Sequence, residues 1–195
     1  MSEEPADLLP VDSGLVRQTL VETLFGEVEK RSDEHIPAEV ASVLLSDTEA
    51  FAGAGETVLD HDLRRFGYHA RLVEVELFEP ARRPAEWMPG LLREHLARTG
   101  DWAQALGAAC AGLVRTEPIG KPSPTDEAAH SWRVPGPGGH VRHYLARRTI
   151  EDLLRERDQP VEGDPAELKR AWLYGFFVRA GVEALPTDAS LGAPA

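Results

Sequence analysis

Residues 57–78 read TVLDHDLRRFGYHARLVEVELF, and the secondary structure given to them decides the fold class. Thr57, Val58 and Leu59 lead into residues 60–63, and Arg64 to Gly67 supplies a plausible hairpin turn. Beyond the turn, residues 68–78 alternate. Ala70, Leu72, Glu74 and Glu76 share one parity, and Arg71, Val73, Val75 and Leu77 share the other. Successive side chains of a strand point to opposite faces, so the pattern predicts an antiparallel pair with one wet face.

The same reading extends outward. Residues 1–10 form an acidic tail, and Asp12 or Ser13 caps a helix carrying Leu15, Leu20 and Leu24 that Gly26 closes. Residues 27–35 read as an exposed strand or a loop, 38–45 as a short helix, and 51–56 as a turn-rich break. Pro80, Pro84 and Pro89 mark an irregular crossing before helices over 90–97 and 102–111. Leu113 to Thr116 reads as a strand and 121–125 as a loop. A second β pair is expected over 130–134 and 141–148, joined by the Gly/Pro turn at 135–139. Residues 150–158 read as a short charged helix and 159–164 as a linker. Pro165 then opens a last helix with Trp172, Phe176, Val178 and Leu185 on its apolar face. The predicted fold is α+β: an antiparallel sheet with helices packed on one side and an extra C-terminal helix. The predicted domains are a flexible tail over 1–10, an α+β ligand-binding domain over 11–149, a C-terminal helical extension over 150–186, and a flexible tail over 187–195.

At 195 residues the chain suffices for one domain. Its 33 acids against 21 bases give a net charge of -12, which repels phosphate backbones and argues against a nucleic-acid partner. No apolar run approaches the roughly 20 residues of a membrane helix. The single Cys110 excludes an internal disulfide framework, so a cytoplasmic location is expected. Neither glycine-rich stretch precedes a lysine and hydroxyl residue, so there is no phosphate loop and no cofactor is predicted.

The order of helix, short helix, hairpin, helix, strand and hairpin resembles the chorismate lyase family. That fold is shared by ligand-sensing domains of one group of bacterial transcription regulators. Residues 12–27 look like the family's opening helix and 55–59 like its entry into the first long strand. Residues 68–73 look like the paired strand, with Arg71 in the usual place. Trp102 to Gly107 and Leu113 to Arg115 match the later Leu-Gly and Leu-x-Arg positions, so the resemblance spans about residues 12–148. It implies an enclosed pocket for a carboxylate ligand. The family's first-strand arginine and last-strand carboxylate fall near Asp60 and Ala146, which implies a ligand other than chorismate.

The resemblance implies a lyase-type elimination or proton transfer on a small anionic metabolite, for which the residues offer acid/base groups and anion-holding arginines. Asp60, His69 and His130 are the candidate catalytic groups, with Asp60 or His69 moving the proton. Arg71, Arg115 and Asp62 are the candidate substrate-binding groups, the arginines facing one closed cavity and holding a carboxylate. The same side chains also read as a solvated cross-strand ion pair, worth under about 1 kcal/mol, and as packed histidines. No metal site is assigned. His140 and His143, three apart on one strand, point to opposite faces and do not converge with His130 unaided. A transglutaminase-like cysteine hydrolase would need Cys110 beside His130, but Cys110 within a small-residue helix reads as a core residue. Trp172, Tyr174, Phe176 and Phe177 read as core, as a lid, or as a homodimer or partner contact through the C-terminal aromatic helix. The alternative to an enzyme is a non-catalytic ligand-binding or partner protein on the same fold. The Ala/Arg/Gly-rich composition resembles that of high-GC bacteria and associates with specialised metabolism, including antibiotic biosynthesis.

Overall fold

The computed structural model describes residues 13–31, 34–46, 58–78, 87–116, 139–158 and 166–185. These form seven α-helices: α1 (Ser13–Arg31), α2 (Ala38–Leu44), α3 (Val58–Phe78), α4 (Trp87–Thr99), α5 (Trp102–Thr116), α6 (Gly139–Glu156) and α7 (Ala166–Ala184). There is no strand among the described residues, so the predicted α+β fold with its antiparallel sheet is corrected to an all-helical one.

Residues 58–78, read as a hairpin, form the single helix α3. Leu63, Gly67, Ala70 and Val73 are buried, with Phe66 half-buried. These positions recur at i, i+3, i+4, i+7 and i+10, the period of a helix face. The alternation over 70–77 coexists with that period, and the stretch is rich in Leu, Arg and Glu, which favour helix. Residues 141–148 likewise lie in α6, where Leu145, Ala146, Thr149, Ile150, Leu153 and Leu154 make one buried stripe. Helix α6 therefore continues across position 150. Leu113 to Thr116 is the last turn of α5, and α1 runs on to Arg31 through part of the segment read as strand or loop. The helices expected over 38–45, 90–97 and 102–111 are present as α2, α4 and α5. Pro89 sits in the first turn of α4, where a missing N–H interrupts no helical hydrogen bond. The readings for 1–10, 51–56, 121–125, 130–134, 135–138, 159–165 and 187–195 lie outside the described residues.

Helix α7 is the centre of the bundle. Residues 171–178 are all buried, the pattern of a helix enclosed on every side. It packs against α2, α3, α4, α5 and α6, while α1 lies across α3 and α6. Its closest neighbour is α3. A Cβ on Gly67 would stand 1.9 Å from the Trp172 carbonyl oxygen, and one on Gly175 would stand 1.8 Å from the Arg64 carbonyl oxygen. The two backbones touch where these glycines meet. Contacts between Arg64 and Gly175, Tyr68 and Arg179, and Arg71 and Glu183 climb both helices together, so α3 and α7 run in the same direction. Of the readings given to the aromatic side chains, core, lid or dimer contact, their burial matches the core. Trp172, Tyr174, Phe176 and Phe177 are each 0% exposed, with Trp172 and Phe176 stacked at 5.6 Å.

The glycine contact is a sharp test of the packing. We expect Gly67→Ala to cost about 3 kcal/mol, because the obstructing atom is backbone and only separation of the helices relieves it. Gly112→Ala in α5, with nothing within 4 Å, should instead stabilise by up to about 1 kcal/mol. Urea unfolding midpoints of the two variants should therefore move in opposite directions.

Candidate functional site

An open groove of about 650 Å³ lies between α2, α4 and α5. Its floor is the α5 face formed by Ala103, Gly107, Ala108 and Ala111, whose small side chains leave the helix surface accessible. Ser42, Val43 and Ser46 of α2 and its C-terminal end make one wall. His95 and Arg98 of α4 stand at one end, Gln104 beside them, and Arg115 closes the line of α5.

The corner between α4 and α5 sets the first end. Gly100 takes a left-handed φ of 69° and donates its N–H to the Leu96 carbonyl at 2.8 Å, which ends α4. Asp101 starts α5 by accepting the Gln104 N–H on Oδ1 at 2.9 Å. The last turn of α4 is thereby placed against the first turn of α5. Arg98 donates to Glu94 at 3.2 Å, and both side chains are well exposed, so this pair contributes little and exchanges readily. No carboxylate is among the described lining residues.

The α2 wall is held from the core. Buried Arg64 donates through Nη1 to the Leu44 carbonyl at 3.1 Å and the Ser46 carbonyl at 3.0 Å. Carbonyls at a helix C-terminus lack intrahelical donors and carry partial negative charge, so a guanidinium satisfies both needs. The Tyr174 hydroxyl donates to the Val43 carbonyl at 3.0 Å and lies 3.5 Å from Ser46 Oγ. Burial pushes the Tyr174 phenol up, so it remains a neutral donor.

The residues singled out from sequence are dispersed. Arg71 is 0% exposed, donates through Nη2 to Glu183 Oε2 at 2.9 Å, and lies over the Phe176 ring at 5.7 Å. Arg179 flanks the same carboxylate, its Nε 3.5 Å from Glu183 Oε1, and donates to the Tyr68 hydroxyl at 3.2 Å. Arg71 thus belongs to an internal ion pair tying α3 to α7. Asp62 ion-pairs with Arg157, just beyond α6. Asp60 stands in the first turn of α3. His130 lies outside the described residues, and His140 and His143 fall in the first turns of α6 rather than on a strand. Arg115 lines the α2–α4–α5 groove, which contains none of Asp62, His69 and Arg71. The closed cavity in which Arg71 and Arg115 were expected to converge is therefore replaced by a core ion pair and a separate surface groove.

No family model, curated protein or solved structure matches this chain. Of the two hairpins on which the likeness to the chorismate lyase fold rested, residues 58–78 of the first and 141–148 of the second are helical. Cys110 is fully buried and burial pushes its thiol up, the reverse of what a nucleophile needs. No helix among the described residues is long and apolar enough to cross a membrane. Sequence reasoning missed His95, Ser42, Ser46 and Gln104. The available signal was on α5: Gln104, Ala108, Ala111 and Arg115 follow i, i+4, i+7 and i+11, one helical face with small residues between polar ends.

His69 is 1% exposed, and neither ring nitrogen has a hydrogen-bond partner. Its ring stands edge-on to Tyr68 at 5.5 Å. Burial, reinforced by the nearby Arg65, holds its pKa below 6.5 in the folded chain, partly opposed by Glu34. The unfolded chain therefore binds the proton first as pH falls. Stability contributed by a neutral His69 is present above about pH 6.5 and declines below it. The expected result is that His69→Phe loses less of its urea midpoint between pH 7.5 and pH 5.5 than the parent protein does.

Proposed function

We propose that this protein binds a small organic anion in the groove between α2, α4 and α5. The observation that carries this reading is electrostatic. A chain of net charge -12 gathers His95, Arg98 and Arg115 around one concavity, with no carboxylate among its described lining residues. Guanidinium groups match carboxylate and phosphate oxygens in a two-pronged geometry. A concave wall of low polarizability strengthens that attraction relative to open water. The lining also supplies polar atoms for orientation, in the Gln104 amide and the hydroxyls of Ser42 and Ser46.

Binding, rather than turnover, is what this lining supports. The Ser42 hydroxyl donates to the Glu39 carbonyl at 2.7 Å and the Ser46 hydroxyl to the Val43 carbonyl at 2.8 Å, so neither is paired with a base. The elimination chemistry expected from sequence was assigned to Asp60, His69 and His130; His69 is buried away from the groove, and His130 lies outside the described residues. The small anionic metabolite expected as a partner is retained, at a different place in the fold.

Titration with benzoate and with inorganic phosphate at low ionic strength, followed by isothermal calorimetry, tests the proposal. At least one probe should bind, with affinity falling as salt is added. Replacing Arg98 and Arg115 together by alanine should weaken it by about tenfold or more, the loss of one charge-assisted hydrogen bond being worth roughly that factor. Binding unchanged in the double variant would place the anion elsewhere.

A further inference from the structure

We infer that the ligand of this groove is a hydroxylated anion, with a hydroxyl group about one helical turn from its charged group, as in a polyol phosphate or a sugar acid. This deepens the proposed anion-binding function and rests on it. The inference comes from how hydrogen-bond donors and acceptors are divided around the lining. Donors gather at the α4–α5 corner, where the Arg98 guanidinium and the Gln104 amide stand with His95. The α2 wall is the opposite. A serine hydroxyl has one proton, and each of the two wall serines directs it into the wall. Ser42 Oγ donates to the Glu39 carbonyl at 2.7 Å, and Ser46 Oγ donates to the Val43 carbonyl at 2.8 Å. The Tyr174 hydroxyl behind them donates to the same Val43 carbonyl at 3.0 Å. What the two serines present to the groove is oxygen lone pairs, and a ligand meets them best with donors of its own.

The register along α5 sets the spacing. A Cβ on Gly107 would stand 3.7 Å from the Tyr174 hydroxyl and 4.0 Å from a Val43 γ carbon, and that hydroxyl is 3.5 Å from Ser46 Oγ. The Ser46 part of the wall therefore faces α5 at Gly107. Gly107 lies three residues beyond Gln104, an axial rise of about 4.5 Å, which a short polyol chain spans. The kind of donor follows from desolvation. An ammonium group needs acceptors for three N–H groups and loses a large hydration energy, which two serine oxygens do not replace. A hydroxyl needs one acceptor. An ether or ketone would set lone pair against lone pair, and a bare hydrocarbon would cover the serine oxygens without pairing them.

The experiment measures glycerol 3-phosphate and gluconate by calorimetry on the full-length protein. Each is compared with its deoxy counterpart (propyl phosphate, hexanoate) and with its O-methylated form. At least one hydroxylated probe should bind about fivefold or more tightly than its deoxy counterpart, the worth of one added hydrogen bond. Which pair shows the difference tells phosphate from carboxylate. The O-methylated form keeps the oxygens but has no protons to give, and should bind no better than the deoxy form. Ser42→Ala combined with Ser46→Ala should bring the hydroxylated probe down to the affinity of its deoxy counterpart. Suppose neither hydroxylated probe outbinds its deoxy counterpart, or the O-methylated form matches it, while binding still falls in Arg98→Ala. The hydroxylated ligand is then overturned and the anion groove stands. If no probe binds, both are overturned.

Discussion

The bundle depends on the contact between α3 and α7 through Gly67 and Gly175. Because each glycine faces a main-chain carbonyl of the other helix, no side chain separates the two backbones. Helices this close bury everything that flanks the crossing. On α3 those flanking residues include Arg64 and Arg71, two guanidinium groups carried into the interior. A buried cation must find oxygen acceptors or it destabilises the fold. The contact therefore dictates what else has to approach. Arg71 requires Glu183, which α7 supplies two turns beyond Gly175. Arg64 requires the carbonyls that end α2, and so draws that short helix onto the bundle.

The groove is a consequence of this arrangement. Helix α2 is too short to be stable by itself, since helix nucleation is unfavourable. Arg64 and Tyr174 fix its C-terminal carbonyls from inside, and the opposite side of the same turn, Ser42 to Ser46, becomes the groove wall. Gly107 allows α5 to pass close to the Tyr174 hydroxyl, at 3.7 Å from where a Cβ would stand. One polar network thus joins the core to the wall, and the floor packs against it. It is built of groups whose partners are inside the protein, and this gives the groove a rigid back.

Helices with a single period were legible in the sequence. α4 and α5 are separated by a glycine and a capping aspartate, and α2 follows a proline, all local signals. α3 was not legible, for a physical reason. Between Ala70 and Leu77 its apolar residues satisfy both a period of two and one near 3.6. Gly67, after two arginines and a phenylalanine, has the look of a turn residue. Its reason for being glycine is the Trp172 carbonyl, far along the chain and invisible to any local reading. With α3 taken as two strands, Arg71 was placed facing a cavity, and the helix turned it into the core. Arg115 was singled out as a carboxylate-holding group on a strand; it stands instead in the last turn of α5, and its neighbours along the groove, His95 and Arg98, come from the adjoining helix.

The arginines of this chain separate by what their donors touch. Arg64 donates to two main-chain carbonyls in the interior, and Arg71 to a carboxylate flanked by a second arginine. Arg148 bridges Glu22 and Asp152 while lying over the Phe25 ring at 4.5 Å, joining α1 to α6. Displacing any of these partners would leave a buried or half-buried charge unmatched, so a ligand gains nothing by competing for them. Arg98 differs. Its carboxylate partner is exposed, on the preceding turn of its own helix, and loses little by returning to water. An arginine whose partner is cheap to exchange, standing at the edge of a concavity, is the one available to a ligand. By that criterion the binding capacity of this acidic protein lies at the α4–α5 corner, outside the core that its buried arginines hold together.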